Sequence, residues 1–141
     1  MATFERALYY ELANAATITA LVSTRIYPAG DVPQDTTSDY MTYQRVSSRR
    51  VRHQGGLGLV EARYQFDCWA VAGELKTANA IANAVVAKFD RYREDMGETG
   101  QTVTVRRAYV EDERDTIVNA TAGGQRGPAG VQVDVVFHYV E

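Results

Sequence analysis

Residues 59–71 alternate strictly along the chain. Val60, Ala62, Tyr64, Phe66, Cys68 and Ala70 share one parity; Glu61, Arg63, Gln65, Asp67 and Trp69 share the other. A period of two over this length predicts a half-buried β-strand, dry on one face and wet on the other. We take it as the central strand of a sheet. The alternation returns at the C-terminus, where Val131, Val133, Val135, Phe137 and Tyr139 fall on one face. Residues 101–110 read as a further strand whose phase switches around Arg106 and Arg107, the mark of a β-bulge. The acidic run 111–115 closes it. Strand signal also starts at Tyr40 and runs through Val46 toward His53, with a Gln-Gly-Gly-Leu connection after it. Residues 40–71 therefore read as one long β-hairpin with a basic, glycine-tipped end.

The period changes elsewhere. Phe4, Leu8 and Leu12 recur every four residues, predicting a helix capped by Thr3, with Glu5 in the first turn and a stop near Asn14. Thr17 is placed to cap a second short turn carrying Ile18, Leu21 and Val22. Arg25-Ile26-Tyr27-Pro28 reads as a short extended piece, followed by a Pro- and Gly-containing loop over 28–39. Gly73 and Glu74 open the strongest helix. There Leu75, Ala78, Ala82, Val85 and Phe89 fall at spacings of three and four, opposite Lys76, Asn83 and Asp90. Residues 75–92 would span about 27 Å as a helix, and their many alanines predict close packing on the sheet. Residues 93–100 read as a charged turn, and residues 119–130 as a flexible glycine-rich loop.

Composition narrows the picture. At 141 residues, 45% hydrophobic and 23% charged, the chain reads as one globular domain with a real core. It lacks an 18-residue apolar run, so no membrane span is expected, and its first residues do not read as a signal peptide. The single cysteine, Cys68, fits a reducing compartment such as a bacterial cytoplasm. A net charge of −3 argues against general nucleic-acid affinity. Thirteen of the fifteen basic residues are Arg, the one better suited to protein interfaces because its planar fork pairs bidentately and stacks on rings.

Catalytic chemistry finds no foothold. His53 and His138 read as surface or edge histidines, and Cys68 as a small buried hydrophobe. Residues 55–58 and 123–127 are glycine-rich but lack the Gly-Lys-Ser/Thr ending of a phosphate loop. The acidic run lacks the ligand alternation of a calcium loop. We therefore expect no enzymatic activity, no cofactor and no metal. Charge instead collects in two places. Arg45, Arg49, Arg50 and Arg52 with His53 form a basic run without an acid between Gln44 and Val60. Glu111, Asp112, Glu113 and Asp115 flank Arg114. Each reads either as a solvated surface or as an interaction arm.

The order of these features resembles the tail terminator, or tail completion, proteins of long-tailed phages and phage-like particles. The resemblance rests on the N-terminal helix with Leu21-Val22, then Arg25-Ile26-Tyr27-Pro28 and Tyr40-Met41-Thr42-Tyr43-Gln44-Arg45-Val46-Ser47. It continues with Arg63-Tyr64-Gln65-Phe66-Asp67-Cys68-Trp69-Ala70 before an alanine-rich helix, and ends with Glu111-Asp112-Glu113-Arg114-Asp115 before a Val-rich strand. It covers nearly all of residues 1–141, taken as a single domain. The fold expected is α+β: a small mixed, mostly antiparallel sheet of about four strands, with two helices packed on one face and a long basic β-hairpin.

The resemblance implies a structural virion component. Such proteins form a ring, usually a hexamer, that caps the completed tail tube, ends its polymerisation and presents a surface to the head connector. The implied partners are further copies of the chain, the major tail tube protein and the connector's adaptor or stopper proteins. DNA would pass the lumen without specific binding. The implied place is the head-proximal end of the tail. The alternatives are another head–tail joining protein or, outside phage biology, a small soluble enzyme. A ring requires two different patches on each subunit to meet on neighbours. The basic residues Arg45, Arg49, Arg50, Arg52 and His53 and the acidic stretch of Glu111, Asp112 and Glu113 with Arg114 are the candidates. Asp67 and Trp69 join them, because a Trp on a wet sheet face expects a cover.

Overall fold

A computed structural model of the protein describes residues 3–34, 36–51, 58–71, 74–117 and 129–140. Three helices, α1 (Phe4–Ala13), α2 (Ala16–Val22) and α3 (Leu75–Phe89), accompany six strands. The strands are β1 (Ile26–Pro28), β2 (Tyr40–Val51), β3 (Leu59–Ala70), β4 (Asp95–Met96), β5 (Val103–Ile117) and β6 (Ala129–Val140). They form one sheet in the order β1-β2-β3-β6-β5-β4. Only β1 against β2 is parallel; every other pairing is antiparallel.

The fold is mixed α+β as expected, but with six strands and three helices instead of about four and two. The four long strands fall in the four stretches read as strands. The two extra strands are short edge pieces. β1 is the short extended segment ending at Pro28, and β4 is two residues inside the stretch read as a charged turn. Two residues carry no periodicity, so only the pairing of Asp95 with Thr104 and Met96 with Val103 defines β4.

All three helices bury one stripe against the same face of the sheet. Phe4, Ala7, Leu8 and Leu12 of α1, Ile18 and Val22 of α2, and Ala78, Ile81, Ala82, Val85 and Phe89 of α3 meet the alternate residues of β3 and β6 in one core. Phe89 is its hub. Its ring stacks on Phe66 at 5.7 Å and meets Phe137 and Tyr92 edge-on at 5.3 and 5.7 Å. Such aromatic pairs contribute beyond their buried area, about 1 kcal/mol each.

The helix ends follow local chemistry with two departures. Thr3 caps α1 through a 3.2 Å bond from the Arg6 N–H to its hydroxyl, and Asn14 ends that helix. Thr17 is not a cap: α2 starts earlier, with Ala15 at the N-cap and no side-chain hydrogen bond. α3 ends at Phe89 and not at residue 92, because Asp90 leaves helical geometry and Arg91 adopts φ +64°. The Arg91 N–H then bonds the Ala108 carbonyl at 2.9 Å, and Asp90 accepts from the Val110 N–H at 3.2 Å. Both contacts tie the end of the helix to β5. Gly97, at φ +116°, closes the turn after β4. A Cβ there would lie 2.9 Å from the Gln101 carbonyl and 3.0 Å from the Ala7 Cβ, so a side chain would be both strained and overpacked.

Register irregularities fall at Arg45/Ser47 in β2 and at Val105/Arg107 and Val110/Asp112 in β5. The bulge expected around Arg106 is present. The acidic run does not close β5, however; the strand continues through it to Ile117. The expected glycine-rich hairpin tip after Val51 and most of the loop over 119–130 lie outside the described residues.

Candidate interaction surfaces

Every helix among the described residues lies on one side, and no described element covers the opposite face of the sheet. It carries the odd-numbered residues of β3 and their row partners. One row reads Thr42, Asp67, Gln132 and Arg114 across β2, β3, β6 and β5; a second reads Ser47, Arg63, Val136 and Tyr109. This face is polar but internally paired. Arg49 reaches Glu61 at 3.3 Å, and Arg114 reaches Asp112 at 2.8 Å and Asp134 at 3.4 Å. Arg63 of β3 bridges to Glu111 of β5 across the intervening strand, which roofs Val136 and leaves it only 3% exposed. A shallow groove of about 300 Å³ lies between these pairs, with Ser47, Tyr109 and Val136 in its lining. Exposed ion pairs of this kind stabilise by at most about 1 kcal/mol each; here they hold opposite charges in a fixed pattern.

Asp67 sits in the middle of this face. Burial raises its carboxyl above the usual range, against hydrogen bonds from Gln65, Gln132 and Thr42 that favour the ionised form. Gln65 donates to it at 3.2 and 3.3 Å, and the Thr42 hydroxyl lies at 3.5 Å. Trp69 is half-buried, and its ring lies close against Gly130, the residue opposite it on β6.

The basic run of β2 does not make a single patch. Arg49 projects on the open face, whereas Arg45 and Arg50 pair in register with Tyr64 and Val60 and so belong to the helix side, where both are exposed. Arg52 and His53 lie outside the described residues. The acidic run splits in the same way. Glu111 and Asp112 are held by arginines of their own chain, while Glu113 and Asp115, opposite Val133 and Val131, are exposed on the helix side. His138 is not at an edge. It lies on an interior strand, half-buried, stacked on Tyr109 at 6.1 Å. Cys68 is fully buried, and burial pushes its thiol far above the ordinary range.

A cluster that charge counting along the sequence misses lies where α3 ends against the first bulge of β5. Arg91, Arg93, Arg106 and Arg107 surround a depression of about 550 Å³ with Asp90, Tyr92 and Tyr109. All four arginines are exposed, and Arg107 stacks over the Tyr109 ring at 4.9 Å. Its two halves are thirteen residues apart in sequence, so only the docking of the helix end on the strand makes it one surface. Among the described residues no three His, Cys, Asp or Glu side chains group as metal ligands. Among these residues no helix is long and apolar enough to cross a membrane.

A six-stranded sheet with helices on one side and a polar, ion-paired open side defines a small α+β protein whose distinctive surfaces suit contact with other macromolecules. Residues 6–124 match the family described as tail completion protein gp17, and the chain belongs to that family of tail structural proteins. The chain is also similar in structure to a chain of the "Virion of native gene transfer agent (GTA) particle". The TM-score is 0.77 at 15% identity, covering 98% of this chain and 95% of that one, and this likeness shows the fold. No curated protein matches the chain in sequence.

Proposed function

We propose that the chain is the repeating subunit of a ring, most simply a hexamer. The ring caps the completed tail tube, stops further polymerisation and offers its other side to the head connector at the head-proximal end of the tail. The observation that carries this reading is the family match over residues 6–124 on a fold whose helices leave one whole sheet face polar and open. The paired charges of that face suit a lumen through which DNA passes: their fields largely cancel, so a polyanion is neither gripped nor repelled. The arginine cluster at Arg91, Arg93, Arg106 and Arg107 suits an acidic surface on a neighbouring tail or connector protein. The role is structural, with no chemistry of its own and no cofactor, and assembly takes place in the bacterial cytoplasm.

Averaged electron micrographs of the purified protein, alone and mixed with tail tubes, test this. The expected result is a ring with a central hole that sits at one end of each tube. Particles assembled without the protein should carry tubes of uncontrolled length. Tubes of normal length in its absence would overturn the terminator reading, and binding to the connector but never to tubes would identify an adaptor or stopper instead.

A further inference from the structure

The sheet has two unfinished edges. β1 pairs with only Met41–Tyr43 of β2, and β4 with only Val103 and Thr104 of β5. Among the described residues, no strand lies beside Gln44–Val51 on the side away from β3, or beside Glu111–Ile117 on the side away from β6. Free edges of this length are templates for another strand. One carries Arg45, Arg49 and Arg50. The other carries Glu111, Asp112, Glu113 and Asp115.

We infer that these two edges pair with each other between copies of the chain: Gln44–Arg49 of one subunit joins Asp112–Thr116 of the next in an antiparallel ladder, making the sheet continuous around the ring. This rests on the ring proposed above and names the contact that builds it. The direction of the strands permits it. β2, β3, β6 and β5 alternate, so β5 runs opposite to β2. A copy rotated about the ring axis keeps the sense of its strands along that axis, so with strands running along the axis its β2 meets β5 antiparallel, as every other long pair does.

The register follows from the rows. Thr42 and Arg114 lie on one row of the sheet, and Gln44 and Asp112 on another two positions along. Neighbouring sheets slide by an even number of rows, since an odd slide would set residues of the helix side against residues of the open side. A slide of zero or two runs β5 into the part of β2 that β1 already holds. A slide of about six sets Arg114 against Arg49. A slide of about four places Asp112 opposite Arg49 on the open face and Asp115 opposite Arg45 on the helix side, both opposite in charge. Four rows over four strands is about 3.3 Å of stagger for each spacing of about 4.8 Å, a strand tilt of about 35°, which is the tilt of closed barrels. Arg45, Glu113 and Asp115 are exposed in the single chain, and this arrangement gives Arg45 and Asp115 partners.

Paired cysteines test it directly. The chains carrying Arg45→Cys with Asp115→Cys, or Arg49→Cys with Asp112→Cys, should give a ladder of covalent oligomers on mild oxidation. Arg49→Cys with Arg114→Cys should give none. Cys68 is buried and does not contribute. As a second measurement, Arg45→Glu should weaken assembly about tenfold by mass photometry, and Arg45→Glu with Asp115→Arg should restore it. Rings that form normally but give no ladder from either pair, or only from the Arg49/Arg114 pair, overturn this contact and leave the ring intact. A chain that stays monomeric alone and with tail tubes overturns the ring itself.

Discussion

The indole of Trp69 lies on Gly130 so closely that a Cβ at Gly130 would sit 2.8 Å from two of its ring carbons. The two residues face each other across the β3–β6 pair. A glycine in a strand interior weakens it, and here the aromatic ring covers the bare backbone of its neighbour. Gly130→Ala should therefore destabilise the fold by about 1–3 kcal/mol, because the ring must leave its position. Trp69→Ala exposes the same backbone and should cost a similar amount. Urea unfolding followed by far-UV circular dichroism checks both. A Gly130→Ala chain as stable as the parent would show that the ring moves freely.

Phe89 is fully buried and touches the rings of Phe66, Phe137 and Tyr92. It joins α3 to both central strands. Phe89→Ala should lower stability by about 3–5 kcal/mol, while Phe89→Leu should cost less by refilling part of the space. Thermal unfolding of the two variants gives the order.

Asp67 should shape the acid side of the stability curve. Its carboxyl is raised in the fold, chiefly by burial. The native state therefore binds its proton at higher pH than the unfolded chain does. The penalty for ionising it is fully present above its folded-state pKa and fades as pH falls toward the ordinary carboxylate range. Asp67→Asn, which removes the charge, should be more favourable relative to the parent at pH 7 than at pH 4. Denaturant titrations at the two values decide it; a difference of the same size at both would exclude a raised carboxyl.

At the alkaline end, burial pushes the phenols of Tyr43 and Tyr64 up to about 12 from the ordinary 10.0. Unfolded chains lose these protons first, so stability should fall as pH rises from about 10 to about 12. Phenolate absorbance of these two residues should appear together with loss of the far-UV signal. Tyr64→Phe and Tyr43→Phe should each shift the alkaline midpoint upward.

The central strand β3 was legible because it is long and dry on one face. Alternation in residues 59–71 and 131–140 predicts which side chains enter the core; Val60 through Ala70 obey it, whereas β6 also buries Asp134 and Val136 of the opposite parity. The bulge near Arg106 was legible for the same reason, as a break in parity. β4 was not, since a two-residue strand has no period and exists only because Val103 and Thr104 pair with it. Nor was the end of α3, where hydrogen bonds to β5 hold Asp90 and Arg91 out of the helix.

The surfaces divide along the same line. The sequence by itself determined which residues are charged and that two runs of opposite sign exist. It also determined, through the order of its motifs, a resemblance to tail completion proteins, and residues 6–124 match that family. Only the tertiary structure decided how those charges are distributed. It split each run between two faces of one sheet, tied Glu111 to Arg63 and Asp112 to Arg114, laid Trp69 on Gly130, and gathered Arg91, Arg93, Arg106 and Arg107 into one cluster. The physical reason is that periodicity is a property of neighbours along the chain, whereas strand order, register and bulges set which distant side chains share a face.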